Sequence, residues 1–231
     1  MAQDDAHELA RPLRPQGFGR TRPTSIGDAI VEPAWPGLRV LASVGGGRAT
    51  LWEEGEELDD MGGIQAALAG SARSVDGAIL DGYLTKQTVT GGIGVKTFAP
   101  ELPTMSGQIS RMFVGGARNR LTELEKRREA EAAAREFQDD DAINLVITDL
   151  LWLDGEWLLD VPLLERRRVL DSILRAGALV RPGLFVRHPI DSWVGSWRAQ
   201  GFYALTIKAA NSRYRPGETA DDWTLSDLPR R

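Results

Sequence analysis

The stretch VITDLLWLDGEWLLDVPLLERRRVL, Val146–Leu170, contains the pattern that decides the fold. With residues 143–145 it opens as a continuous apolar run, INLVITDLLWL, whose β-branched residues predict a buried strand. The pair Asp154–Gly155 predicts a turn, and PLLERRRVLDSILRAG predicts an amphipathic helix with proline near its start and glycine after its end. A strand, a turn and a helix therefore follow one another here.

Further elements are predicted on both sides of this stretch. The strand-like runs LRVLASV and RATLWE are separated by Gly45–Gly47, which is a hairpin signal. The other short elements are predicted to be the strands GAILDGYLT, GLFVRH and FYALTIKAA and the helices DDMGGIQAALAG and DSWVGSWRAQG. A charged helix within Gly107–Phe137 has its charges three and four residues apart, which indicates either a solvated face or a docking surface. Because strands and helices interleave without a regular repeat, we predict an α+β fold.

The composition excludes several classes of function. The chain has no cysteine and two histidines, so disulfides, thiolate metal sites and multi-histidine metal sites are excluded. No apolar run approaches the roughly 18 residues of a membrane span, and the first residues lack a signal peptide, so we expect a cytoplasmic protein without membrane contact. The net charge of −5 argues against a strong electrostatic grip on nucleic acid.

Four segments in chain order resemble one family. The segments are EPAWPGLR, ILDGYL, the stretch Val146–Leu170, and GFYALTIKAANSRYRPGETADDW. They are similar to the Lys-x-Asp-Gly-x-Arg motif, the Asp-Gly-Glu strand, the strand–turn–helix after it, and the Glu-Gly-x-x-x-Lys strand of ATP-dependent DNA ligase adenylation domains. The resemblance covers residues 30 to about 225. It implies a ligase-type nucleotidyltransferase (ATP-grasp-like) fold of mixed, mainly antiparallel sheets with flanking helices.

The expected domain organisation follows from this resemblance. Residues 1–27 are rich in Pro, Arg and Gly without periodicity, which predicts an irregular N-terminal arm. Residues 28–231 are expected to form a degenerate adenylation domain without the oligonucleotide-binding domain that ligases use to close on DNA.

The family resemblance implies a particular chemistry. A lysine attacks the α-phosphate of ATP, a metal ion and other lysines neutralise the phosphates, and AMP then passes to a nicked DNA end. In this chain Ala34 stands at the position of that lysine, and its methyl group forms no bond to phosphorus. The other substituted positions are Pro36 for an aspartate, Tyr83 and Tyr203 for glutamates, Ala204 for glycine, Thr148 for an adenine-stacking Phe, Leu225 and Asp227 for lysines, and Glu54 for an arginine that faces DNA.

Some charged residues of the motifs remain and could form the remnant of a nucleotide or phosphate site. Arg39 is predicted either to bind a phosphate or a partner or to be a surface residue on a strand. Lys208 either neutralises a phosphate or lies solvated at a strand end. Asp81 and Asp149 are either remnants of a polar site or capping and hydrogen-bonding residues.

The two tyrosines that replace acids also have two interpretations. Tyr83 and Tyr203 are predicted to fill the former nucleotide cleft, or else to stack on a base as aromatic residues do in single-strand binding. No catalytic residue and no metal ligand is assigned.

Two functions remain open from the sequence. The first is a catalytically inactive homologue of the adenylation domain, a binding or scaffolding module for an unknown protein or nucleic acid that is linked to DNA repair and needs no cofactor. The second is an active nucleotidyltransferase that uses ATP and Mg²⁺ through a displaced lysine such as Lys86 or Lys208. Only four lysines are present beside 24 arginines, and arginine stays protonated, so few residues can replace the missing nucleophile.

Overall fold

The computed structural model describes residues 5–72, 74–90, 94–97 and 143–228. The helices in these ranges are α1 (Asp5–Ala10), α2 (Gly62–Ser71), α3 (Leu163–Ile173) and α4 (Asp191–Ala199). The strands in the first half are β1 (Gly17–Gly19), β2 (Ala29–Pro33), β3 (Leu38–Gly45), β4 (Arg48–Glu53), β5 (Glu56–Glu57), β6 (Gly77–Thr85), β7 (Gln87–Thr90) and β8 (Gly94–Thr97). Those in the second half are β9 (Asn144–Leu153), β10 (Glu156–Trp157), β11 (Val180–Pro182), β12 (Val186–Arg187), β13 (Ala204–Ala209) and β14 (Thr219–Asp227). The helix predicted within Gly107–Phe137 lies outside the described residues.

Two larger sheets form the body of the described chain. Sheet A has the strand order β1-β14-β13-β2-β12, and sheet B has the order β10-β9-β6-β3-β4-β5, with β11 also paired to β9. Among the described residues, only the pairs β1–β14 and β11–β9 of these two sheets are parallel. The predicted α+β fold with mainly antiparallel sheets is therefore confirmed.

The stretch Val146–Leu170 folds as predicted. β9 is buried over nearly its whole length, as its uninterrupted apolar run requires. The turn after it contains Asp154 at a φ of 46° and Gly155 at 100°. The Asp154 carboxylate accepts the backbone N–H groups of Asp76 and Gly77 at 2.8 and 3.0 Å, which fixes the turn against the start of β6.

Three apolar clusters hold the layers together. The first lies between sheet B and the helices α2 and α3, and the second packs α4 against sheet A. The third contains Leu41 and Ile79 from sheet B and Ile30 and Trp223 from sheet A, so it joins the two sheets. Burying one such Leu or Ile side chain stabilises the fold by about 1.5–3 kcal/mol.

The predicted irregular N-terminal arm is wrong for the residues that the structure describes. α1 packs on β3 and β6, with Ala6 and Ala10 fully buried, and His7 hydrogen-bonds to the Ser43 hydroxyl at 2.7 Å. β1 pairs with β14. A helix of six residues is too short to be stable by itself, so α1 depends on docking, and the local sequence pattern does not reveal it.

A candidate site between the two sheets

The strand register brings the substituted motif positions together at one end of sheet A. The backbone N–H of Ala34 donates to the carbonyl oxygen of Ala204 at 2.9 Å. Ala204 pairs with Asp227, and the next pair along β13 and β14 on the same face is Thr206 with Leu225. Ala34, Ala204, Leu225 and Asp227 all depart from the family motifs. They are far apart in sequence, and the strand register makes them neighbours in space.

The two substituted tyrosines differ in their surroundings. Tyr203 is 85% exposed, so the prediction that it fills a cleft is wrong; its ring lies in solvent. Tyr83 is partly buried and packs against the second apolar cluster, with its ring 5.7 Å from the Arg39 guanidinium. Burial raises the pKa of the Tyr83 hydroxyl well above its ordinary value.

Arg39 on β3 forms an ion pair with Asp81 on the adjacent strand β6. The Nε of Arg39 donates to one carboxylate oxygen at 3.0 Å and Nη2 donates to the other at 2.6 Å. This two-point geometry is the strongest form of an arginine–carboxylate contact. Although burial acts to lower the pKa of Arg39, Asp81 together with Tyr83 and Tyr214 outweighs it and raises that pKa. Arg39 is therefore not a solvated surface residue, and two of its donors are occupied by Asp81.

Three residues that the sequence analysis missed complete the surroundings of this pair. The Tyr214 hydroxyl donates to Asp81 at 2.7 Å and accepts the Gln16 backbone N–H at 3.1 Å. The third donor used by Arg39, Nη1, contacts the Gln16 carbonyl at 2.6 Å, and the Phe18 ring lies 5.5 Å from the guanidinium. Burial and the Asp81 charge raise the pKa of the Tyr214 hydroxyl well above its ordinary value.

Asp149 forms a second buried pair, with Arg166 of α3. Nε and Nη2 of Arg166 donate to the two carboxylate oxygens at 2.8 and 2.7 Å, and neither side chain is exposed. Arg166 also donates to the carbonyls of Val161 and Ser212 at 2.5 and 3.2 Å. Asp149 is thus a hydrogen-bonding residue that fixes α3 to β9.

Lys208 belongs to a third buried group, centred on Glu32. The Nζ of Lys208 lies 2.8 Å from one Glu32 oxygen, and the Arg167 guanidinium lies 2.9 Å from the other. The Thr206 hydroxyl donates to Glu32 at 3.2 Å, and the Trp223 ring lies 4.5 Å from the lysine ammonium. Lys208 is 2% exposed, so the interpretation as a solvated strand-end lysine is wrong.

One hydrogen bond of Arg167 depends on an irregularity in the pairing of β6 with β9. Asp81 pairs with Asp149 but the next residue, Gly82, pairs with Ile147, so Thr148 is an extra residue on β9. The free carbonyl of Thr148 accepts a hydrogen bond from Arg167, and its hydroxyl approaches the Asp81 carbonyl at 3.4 Å. Thr148 offers no aromatic surface at the place where the family stacks adenine.

The positions of the two buried arginines could have been recognised from the helix pattern. Leu163, Arg166, Arg167 and Leu170 are the buried residues of α3, and their spacing of three and four residues defines one helix face. Arginine at two positions of an apolar face requires buried acceptors. Glu32 carried no such signal, because strand alternation alone does not show which face is polar.

The retained glycines have steric roles. Gly37 has a φ of 123°, and a Cβ there would lie 2.1 Å from the Leu84 carbonyl oxygen. A Cβ on Gly82 would lie 2.5 Å from the Val146 carbonyl oxygen. Both glycines are therefore required by close backbone packing of β3, β6 and β9, independently of any catalytic step.

The described residues contain no group of three or more His, Asp or Glu side chains that could hold a metal ion. Within those same ranges, no helix is long and apolar enough to cross a membrane. Glu54 is exposed in the β4–β5 turn at a φ of 49°, and a carboxylate there repels DNA phosphates instead of attracting them.

The chain is similar in sequence to DNA ligases over part of its length. It is 33% identical over 87 residues to a DNA ligase of Methanocorpusculum labreanum, covering 36% of this chain and 16% of that protein. It is 33% identical over 75 residues to the multifunctional non-homologous end joining DNA repair protein LigD of Mycobacterium tuberculosis, covering 32% of this chain and 10% of LigD. No family model matches the chain. The aligned segments thus span a small part of these curated relatives.

The similarity of fold extends over nearly the whole chain. The ligase domain of M. tuberculosis LigD superposes with a TM-score of 0.62 and 20% identity, covering 94% of this chain and 60% of that one. A Lig E DNA ligase studied for DNA binding with a minimal scaffold superposes with a TM-score of 0.50 and 9% identity, covering 94% of this chain and 69% of that one. The chain therefore has the fold of a ligase-type nucleotidyltransferase domain. The predicted resemblance to the adenylation domain of ATP-dependent DNA ligases is confirmed.

Proposed function

We propose that this chain is a non-catalytic homologue of the ligase adenylation domain that acts as a binding or scaffolding module linked to DNA repair. One observation carries the proposal: each of the charged motif residues that remain is held in an ion pair within the protein. Asp81 and Asp149 are each paired with an arginine, and Lys208 is paired with Glu32. Paired charges of this kind hold strands and helices together, and the proposal assigns them that structural role.

The position of Lys208 also supports the absence of a covalent step. Lys208 pairs with Ile30 in the β2–β13 register, and Ala34 lies four residues further along the chain, directly after the end of β2. At about 3.3 Å per residue this separation is roughly 13 Å. An ammonium group bound to Glu32 also has no free electron pair, so attack on phosphorus would first require the ion pair to break.

The decisive experiment is the intact mass of the purified protein after incubation with ATP and Mg²⁺. We expect no gain of an AMP group. A nick-sealing ligase that forms its AMP adduct under the same conditions serves as the control for the reagents. Any stoichiometric AMP adduct on this chain would contradict the proposal.

The alternative, an active nucleotidyltransferase, is favoured by one observation at Lys86. Leu84 pairs with Leu38, and the Gly37 backbone packs on the Leu84 carbonyl, so Lys86 lies two residues beyond the point where β6 meets the loop that contains Ala34. If an adduct forms, Lys86→Met should abolish it while Lys208→Met should not. This pair of variants separates the two displaced-lysine candidates.

The similarity to LigD supports a connection to DNA repair, with a protein or a nucleic acid as the partner. Binding to a nicked DNA duplex, measured by fluorescence anisotropy at low and at moderate salt, tests the nucleic-acid partner. A salt-sensitive complex would support DNA as the partner, because phosphate contacts release counterions. Absence of binding at low salt would favour a protein partner.

A further inference from the structure

We propose that residues 5–19, the N-terminal strap, form a releasable cover over Arg39 and Trp223, and that a nucleotide reaches these two residues only when the strap leaves. The inference rests on the proposed function, a binding module without a covalent step, and places a nucleotide site of that module beneath the strap. It adds a control element to that site.

The strap is attached to sheet B at two points. His7 contacts the Ser43 hydroxyl through Nδ1 at 2.7 Å and donates from Nε2 to the Gly45 carbonyl at 3.3 Å. At its other end the Gln16 carbonyl accepts the hydrogen bond from Nη1 of Arg39 at 2.6 Å. The strap therefore follows β3 from its last residues to its second residue.

The same segment is attached to sheet A. The Gly17 N–H donates to the Glu218 carbonyl at 2.8 Å, and the side-chain oxygen of Gln16 accepts the Arg215 N–H at 2.6 Å. The Phe18 ring lies 5.9 Å from the Trp223 ring. The strap thus bridges the two sheets, and its Phe18 ring lies 5.5 Å from the Arg39 guanidinium and 5.9 Å from the Trp223 ring.

Several features make the strap less stable than the sheets beneath it. Its fully buried apolar residues are two alanines, Ala6 and Ala10, which bury little surface. β1 is a three-residue parallel strand whose register with β14 shifts between Phe18 and Gly19. The Nε2 group of Gln16 is buried without a hydrogen-bond partner, which weakens docking. Terminal segments with few buried contacts open independently of a core.

By contrast, β6 and β9 are long central strands paired on both sides. Opening of the strap leaves these pairs intact. It frees the Arg39 donor now held by Gln16 and the ring face of Trp223 now contacted by Phe18. A guanidinium and an indole face are groups that recognise an anion and an aromatic base.

The substitution Gly19→Ala tests the proposal with a single methyl group. A Cβ at Gly19 would lie 2.7 Å from the Ala220 carbonyl oxygen and 2.9 Å from the Asp221 Cα, so the strap must move away from β14. The matched control is Gly27→Ala, because a Cβ there has no atom within 4 Å. Both variants are made in the full chain.

Two measurements are made on each variant. Hydrogen exchange should show amides of residues 5–19 exchanging at least tenfold faster in Gly19→Ala, with β6 and β9 unchanged. Calorimetric titration with AMP should show at least a tenfold gain in affinity over the parent chain. Gly27→Ala should change neither quantity.

A released strap with unchanged AMP affinity would overturn the proposal, as would strap amides in the parent chain that exchange as slowly as β6 and β9. If Gly19→Ala does not fold, Gly17→Ala is the milder variant, since its Cβ meets the Thr219 hydroxyl at 2.8 Å. Failure of both variants to fold, with Gly27→Ala folded, would show that the strap does not open independently. A covalent AMP adduct would contradict the proposed function and leave the strap result standing.

Discussion

Lys208 and Glu32 lie on neighbouring strands of sheet A, with the Nζ of the lysine 2.8 Å from a carboxylate oxygen and both side chains almost completely buried. Arg167 contacts the other oxygen of the same carboxylate. One buried acid therefore compensates two buried cations. The arrangement resembles a structural core more than a surface prepared for a ligand.

Replacing Glu32 with Gln should destabilise the protein strongly. The substitution keeps the shape of the side chain but leaves Lys208 and Arg167 buried without their counter-charge, which typically costs about 3–5 kcal/mol. Urea unfolding followed by tryptophan fluorescence measures the change. The control is Glu165→Gln, which removes the exposed pair with Arg168 and should cost less than about 1 kcal/mol. Equal losses in the two variants would show that the burial of Glu32 contributes little.

The same carboxylate predicts an acid dependence of stability. Burial alone would raise the pKa of Glu32, but the charges of Lys208 and Arg167 outweigh it and hold that pKa below its ordinary value. The unfolded chain therefore takes up this proton first, near the usual glutamate pKa of about 4.3. The stabilisation is present above that pH and is lost as the pH falls through the lower, folded value. Stability of the parent chain should fall more steeply than that of Glu32→Gln when unfolding is measured between about pH 5 and pH 3.

Tyr214 predicts a dependence at the alkaline end. Burial and Asp81 raise the pKa of its hydroxyl in the folded protein, whereas the unfolded tyrosine ionises near pH 10. The contribution is therefore complete below about pH 10 and decreases above it. Tyr214→Phe should lose about 1–3 kcal/mol at neutral pH, since the Asp81 oxygen loses one of its two donors and the buried Gln16 N–H loses its acceptor. It should also show a flatter profile above about pH 10. Chemical unfolding at several pH values distinguishes the two curves.

Restoring the missing lysine should not restore the reaction. Ala34→Lys supplies an amine at the motif position, but Tyr203, Leu225 and Asp227 still replace the metal and phosphate ligands that the family uses. We expect no AMP adduct by intact mass after incubation with ATP and Mg²⁺. An adduct on Ala34→Lys, absent from the parent chain, would show that the remaining residues still bind the triphosphate productively.

The two substituted tyrosines form a matched pair for a stability test. Tyr203→Ala should change the free energy of unfolding by no more than about 0.5 kcal/mol, because the side chain is 85% exposed. Tyr83→Ala should cost about 2–4 kcal/mol, because it removes a ring packed on Arg39 and on the second apolar cluster. Thermal unfolding of both variants checks the difference. A large loss at Tyr203 would contradict its exposed position.

The local sequence pattern determined about half of the described strands and helices. The strand β9, the turn at Asp154–Gly155 and the helix α3 follow from apolar periodicity and from proline and glycine placement, which act over a few residues. The order of four motifs also predicted the fold that the comparisons confirm. The resemblance also predicts that the methyl group of Ala34 stands where the family has its nucleophile, and this assignment stays a prediction.

Only the tertiary structure decided what the retained charges do. Sequence shows that Arg39, Asp81, Asp149 and Lys208 are present, but it does not show their partners. For example, 133 residues separate Asp81 from Tyr214. Which charges meet depends on strand register, on the extra residue at Thr148 and on the docking of the N-terminal strap. These are long-range relationships, and a pairing set by burial between two sheets leaves no periodic trace in either strand.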